Sequence, residues 1–173
     1  MAQLNYRENL NMKFKAYNGG LRVFKNYEIN HNNIDIYFSN MKITLTMFEN
    51  DIVKVFIGDK YEESISTNGV VDDLGKGEFI VEEDSNFVIV KGTKVLTFVD
   101  KNTTEISFRD LEGNIINEDF QPSFKDEEGN VYISKVNDCL AYYGLGEKGG
   151  DLNKKDVIQK TLILMIQRLT MIP

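Results

Sequence analysis

Tryptophan is missing from this chain, and cysteine, histidine and proline nearly so: one Cys, one His and two Pro in 173 residues. A lone cysteine, Cys139, excludes an internal disulfide. One histidine with one cysteine cannot build a His- or Cys-rich zinc site. A bilayer-spanning helix needs ~20 apolar residues, and the longest apolar run is only Leu162 to Ile166. Met1 to Arg7 is followed by Glu-Asn-Leu-Asn, so no secretory leader is expected. Basic residues are also in the minority, 20 against 27 acidic ones, for a net charge of −7. Such a surface repels nucleic-acid phosphates. The expectation is a cytoplasmic protein with no nucleic-acid partner, no membrane segment, no metal and no cofactor.

What the chain does contain is alternation. Ile43, Leu45 and Met47 alternate with Thr44 and Thr46, and Val53, Val55 and Ile57 with Lys54 and Phe56. Successive side chains of a strand point to opposite faces, so this spacing predicts half-buried strands. Met12, Phe14 and Ala16 repeat the pattern. Further strands are expected at Leu21–Glu28, Ile34–Phe38, Glu78–Glu82, Phe87–Lys91, Val95–Asp100, Glu105–Arg109, Val131–Ser134 and Cys139–Tyr143. Glu49-Asn50-Asp51, Lys91-Gly92-Thr93 and Glu112-Gly113-Asn114 separate them, as do Asn18-Gly19-Gly20, Asn68-Gly69 and Glu128-Gly129-Asn130. Gly and Asn accept the positive φ of tight turns. Tyr61 to Lys76 is polar and reads as a long solvated connection. Many short strands at this spacing predict a mainly β chain, an antiparallel sandwich or barrel.

Few residues are suited to chemistry. His31 lies in Asn30-His31-Asn32-Asn33, a polar turn, and Cys139 in a strand-like stretch that suits a buried thiol. Asp72-Asp73, Glu82-Glu83-Asp84 and Asp126-Glu127-Glu128 read as solvated loop acids. The last lacks the spacing and terminal Glu of an EF-hand. Gly144 and Gly146, then Gly149-Gly150, form a glycine-rich corner. No Lys-Ser/Thr follows and no βαβ unit surrounds it, so phosphate-loop and dinucleotide readings fail.

The stretch Tyr142-Tyr143-Gly144-Leu145-Gly146-Glu147-Lys148-Gly149-Gly150-Asp151-Leu152-Asn153-Lys154-Lys155 resembles a signature of glycoside hydrolase family 31, the α-glucosidase family. There, aromatic-Tyr-Gly-Leu-Gly-Glu-Lys precedes a short turn and Leu-Asn/Asp-Lys/Arg-Lys/Arg-Gly. The resemblance covers residues 1–155 and implies a galactose-mutarotase-like β-sandwich, the N-terminal domain of a larger enzyme. The partner it implies is a (β/α)8 barrel carrying two aspartates of a retaining mechanism, whose carboxyl groups sit ~5–5.5 Å apart. Neither aspartate has a counterpart here, and a barrel takes ~250 residues. The resemblance therefore implies no catalytic residue in this chain, weak binding of α-glucosides at most, and self-association through the face the barrel would cover. Tyr143, Gly144, Gly146, Glu147 and Asp151 are the candidates for the substrate-side loop and domain contact.

After Lys155 the family pattern stops. Residues 156–173 carry no aromatic and no glycine, where the family has a glycine, an aromatic-containing strand and an Asn-Thr-Asp-like segment. Loss of one G from a glycine codon before Asp156 accounts for this. With permitted codons every residue from Asp156 to Pro173 can be respelled in a restored frame that falls on the family pattern. The alternative is an amphipathic C-terminal helix, since Ile158, Leu162, Met165, Ile166 and Leu169 share one helical face. A rival reading of the whole chain is a stand-alone carbohydrate-binding module, because β-sandwiches bind sugars on aromatic faces. The chain has 8 Tyr and 11 Phe for that purpose but no Trp.

Overall fold

A computed structural model describes residues 22–61, 74–125 and 131–135. These form two antiparallel sheets, as the alternation predicts. The first has four strands in sequential order: β1 (Phe24–Asn30), β2 (Asn33–Phe38), β3 (Met41–Met47) and β4 (Val53–Asp59). The second has six, ordered β10-β9-β8-β7-β6-β5. Its members are β5 (Ile80–Glu83), β6 (Phe87–Lys91), β7 (Leu96–Asp100), β8 (Ile106–Arg109), β9 (Ile115–Lys125) and β10 (Val131–Lys135). The expected strands Met12–Ala16 and Cys139–Tyr143 lie outside the described residues.

Period-two burial makes the sandwich. In β2, Ile34, Ile36 and Phe38 are buried while Asn33, Asp35 and Tyr37 are half-buried. In β3, Ile43, Leu45 and Met47 fill the same face. Val88 and Val90 of β6, Val99 of β7 and Ile106 of β8 complete a single cluster across the two sheets. Val53, Val55 and Ile57 of β4 pack partly against it. Each such side chain, once buried, stabilises the fold by ~1.5–3 kcal/mol. Residues of opposite parity point away from this core.

Polar ties hold the two ends of β7 to the first sheet. At its C-terminal end Arg22 donates to the Thr104 hydroxyl at 2.7 Å and to the Ser123 carbonyl at 3.0 Å. Beside it the Lys101 ammonium lies 4.9 Å from the Phe24 ring centroid, pairs with Glu83 at 2.6 Å and donates to the Asp84 carbonyl. At the N-terminal end the tie is made by Asp51.

Strand β9 is the departure from expectation: no strand is predicted between Arg109 and Val131. Its residues hide the alternation. Phe108 pairs with Asn117, but the register then shifts and Arg109 pairs with Ile115. Ile115 and Ile116 consequently both lie on the outer side, 54% and 58% exposed. Pro122 sits where β9 has run past the end of β8, so its missing N–H costs no bond to that neighbour.

Candidate functional site

The five residues expected at the substrate-side loop, Tyr143, Gly144, Gly146, Glu147 and Asp151, lie outside the described residues, as does Cys139. His31 occupies the two-residue turn between β1 and β2, exposed and with φ 55. Among the described residues no group of three or more His, Cys, Asp or Glu is arranged to hold a metal. No helix among them is long and apolar enough to cross a membrane.

The most structured polar corner lies where the β3–β4 connection meets the β6–β7 turn. After Met47 the chain turns through a single 3-10 turn, Glu49–Asp51. Asn50 and Asp51 both take positive φ, 60 and 58. Two consecutive left-handed non-glycine residues are uncommon, and Asn and Asp tolerate this region best. The turn aims the Asp51 carboxylate at the second sheet. There it accepts from the Thr93 hydroxyl at 2.5 Å, the Lys94 N–H at 2.9 Å and the Val95 N–H at 3.3 Å. Gly92 opens that turn, and a Cβ on it would collide with Asp51 Oδ1. The absent side chain is what lets the carboxylate reach the turn's N–H groups.

A third segment closes the corner. The Gly77 N–H donates to the Met47 carbonyl at 3.1 Å, and the Glu49 N–H to the Leu74 carbonyl at 3.3 Å. Between these three segments lies an open cleft of about 300 Å³. Met47, Phe48 and Gly77 line it together with Glu49, Asn50, Asp51, Lys76, Glu78 and Thr93. Both triads that build the corner are visible in the sequence as turn signals. Nothing in the sequence says that they meet, because 42 positions separate Asp51 from Thr93.

The electrostatics separate structural acids from the rest. Partial burial alone would raise the Asp51 carboxyl, but the bonds from the Thr93 hydroxyl and the backbone N–H groups of Lys94, Val95 and Thr93 outweigh it. They hold Asp51 below the ordinary carboxylate value. Asp84 is lowered by the N–H groups of Asn86 and Phe87, and Asp110 chiefly by the Asn114 amide. Both therefore act as turn caps. Glu105 goes the other way: burial, then the nearby Asp100, Asp119 and Glu118, raises its carboxyl despite a bond to Thr103. Asp119 is enclosed, its side chain 2% exposed. One oxygen pairs with Lys135 at 2.5 Å and the other accepts from the Ile106 N–H at 2.9 Å. With both oxygens committed, it serves the sheet.

Comparison with known proteins gives three findings. No curated protein matches the sequence. Two solved structures of a glycoside hydrolase family 31 dextranase from Flavobacterium johnsoniae share the fold. One is a mutant complexed with isomaltotriose, at TM-score 0.67, and the other is complexed with glucose, at 0.66. Each is 22% identical over 78% of this chain, which spans only 17% of theirs. The third finding is a match over residues 42–171 to the sequence profile of the glycosyl hydrolase 31 N-terminal galactose mutarotase-like domain. It takes in the glycine-rich signature at 142–155 and continues past the boundary expected at Lys155. On that match, over most of its length, the chain belongs to the glycosyl hydrolase 31 N-terminal galactose mutarotase-like domain family.

Proposed function

We propose that these residues are the non-catalytic N-terminal sandwich of a glycoside hydrolase of α-glucosidase type, inactive without its catalytic partner. The observation that carries this is the family match joined to a body of antiparallel sheets. A (β/α)8 barrel takes ~250 residues, and the described residues form antiparallel sheets with no part of one. In this reading the partner reaction is retaining hydrolysis of terminal α-glucosidic bonds. The sandwich supplies a rigid body against which the barrel packs.

The outer face of the six-stranded sheet suits such a contact. Ile89 pairs with Phe98, which pairs with Ser107 and so with Glu118, and all lie on the side away from the core. Ile80, Ile116 and Phe120 share that side and are 67%, 58% and 41% exposed. The face is mixed, since the Lys91–Glu82 ion pair and Arg109, 4.5 Å from the Phe98 ring centroid, stand on the same side, as suits a contact between domains. Without a barrel to cover it, the same face drives self-association. A cytoplasmic setting fits the acidic composition and the single cysteine.

Purified protein assayed on aryl-α-glucosides tests the reading. The expected result is no turnover above buffer. Turnover that survives removal of host glycosidases, and that scales with the amount of this chain, overturns it.

A further inference from the structure

We infer that the outer face of the six-stranded sheet docks a second copy of this chain about a two-fold axis running across the strands, with Arg109 of each copy paired to Glu105 of the other.

The inference rests on the outer face being an interaction surface, and it names the partner and the fit. Side chains stand on that face in rows set by the register. The middle row holds Ile89, Phe98 and Ser107. Two residues along, on one side, lie Lys91, Leu96 and Arg109. Two residues along, on the other, Phe87 pairs with Asp100, and the Asp100 N–H donates to the Glu105 carbonyl at 2.9 Å. Arg109 and Glu105 therefore stand at equal distances on either side of Ser107.

Neither charge has a counter-ion. The Arg109 guanidinium carbon lies 4.5 Å from the Phe98 ring centroid. Phe87 meets Phe98 edge-on, with centroids 5.7 Å apart, so the cation rests on an aromatic floor. Among the described residues no acceptor engages the guanidinium, and its Nε is buried without one. Glu105 is half-buried, and the charges acting on its carboxyl are all acidic: Asp100, Asp119 and Glu118. An incoming carboxylate completes the arginine, and an incoming guanidinium relieves the acids.

A face with a base and an acid equally spaced about its middle is complementary to itself when turned over. The axis across the strands lays the middle rows on each other, Phe98 on Phe98 and Ile89 on Ile89. It brings each Arg109 over Glu105 of the other copy. Sheets packed face to face stand ~10 Å apart, a gap that an Arg and a Glu reaching from opposite sides close. A two-fold axis along the strands would instead lay the row of Lys91 and Arg109 upon itself, base against base. Glu118, which extends the middle row on β9, meets its own copy and keeps the contact weak. The contact uses up the face on both copies, so association stops at the dimer.

Sedimentation of the intact chain and of charge-swapped variants tests this at about 100 μM. The parent should run as a dimer. Arg109→Glu and Glu105→Arg should each weaken it about tenfold or more, because like charges then meet at both symmetric contacts. Mixed in equal amounts, the two variants should form a heterodimer as tight as the parent, since every acid then faces a base. Glu105→Arg takes one acid out of an acidic cluster and should unfold no sooner than the parent. It decides the matter alone if Arg109→Glu, which gives up the stack on Phe98, does not fold. A dimer indifferent to Glu105→Arg, or folded variants that do not combine, overturns the pairing and leaves the face an interaction surface. Species larger than the dimer overturn the two-fold arrangement and likewise leave the face standing. A monomeric parent overturns the inference together with the reading it rests on.

Discussion

Arg22 donates through Nη1 to the Thr104 hydroxyl at 2.7 Å across 82 positions of sequence. Thr104 is 2% exposed and held at φ 68, a conformation that costs a β-branched residue ~1–3 kcal/mol. The guanidinium also bonds the Ser123 carbonyl, and its own burial lowers the arginine's affinity for its proton. Arg22→Ala leaves a buried hydroxyl with one partner fewer and should cost about 2–3 kcal/mol. Thr104→Gly removes both the strain and the acceptor, so it should cost less than Arg22→Ala. Urea unfolding of both variants checks this. A loss for Thr104→Gly as large as that for Arg22→Ala would overturn this expectation.

The Asp51–Gly92 approach yields a sharper test. Gly92→Ala drives a methyl into Asp51 Oδ1 and should destabilise by about 1–3 kcal/mol. Asp51→Ala frees the N–H groups of Lys94 and Val95 and should cost about 1–2 kcal/mol. In the double variant the methyl loses its collision with Asp51 and keeps only a tight contact with the Val95 carbonyl oxygen at 3.1 Å. The two losses should therefore fall short of additivity by about 1 kcal/mol or more. Additive losses would place the cost of Gly92→Ala elsewhere.

Two carboxylates give pH signatures of opposite sign. Asp51 is lowered from 3.8 by the hydrogen bonds it accepts. Its contribution is present above that value and is lost as pH falls through the lower folded value. Asp51→Asn should flatten the acid side of a stability–pH curve below about pH 4. Glu105 is raised from 4.5, chiefly by burial. The folded state then holds the proton more tightly, so stability is greatest below 4.5 and declines as pH rises through the folded value. Glu105→Gln should raise Tm at pH 7 and lose that advantage at about pH 4. Thermal unfolding of both variants from about pH 3 to 8 reads both signs.

Much of the sandwich is legible in the sequence because one face of each sheet is buried. Phe87–Lys91 is expected and observed with the same ends, and Ile43, Leu45 and Met47 alternate as their burial requires. Elsewhere an end coincides, as at Phe38, Asp100, Arg109 and Val131, or shifts by one to three residues, as where Leu21–Glu28 becomes Phe24–Asn30. Strand β9 is illegible for a specific reason. Its register shift places neighbouring isoleucines on one side, and Asp119, an acid, points inward against Lys135. A pattern reader expects neither. The glycine-rich signature marks the family but lies outside the described residues. The corner cleft shows the converse: its turns are readable one at a time, whereas their meeting depends on how two sheets stack.

The outer face of the six-stranded sheet supplies the remaining prediction. Ile80 and Ile116 stand on that face, 67% and 58% exposed. Neither belongs to the buried cluster, so replacing them should change association more than stability. In the isolated protein, Ile80→Lys with Ile116→Lys replaces two exposed apolar side chains of that surface with charges. Light scattering should show the parent chain forming dimers or larger species at about 100 μM and the double variant remaining monomeric. Its Tm should stay within a few degrees of the parent's, because an exposed substitution away from the core changes stability by about 0.5 kcal/mol or less. A chain produced together with its catalytic barrel should give the reverse pattern. There the parent stays dispersed, and the two lysines weaken the contact between the domains. A parent chain that is monomeric alone, or a double variant that unfolds, would assign these side chains to the fold itself and leave the barrel another surface.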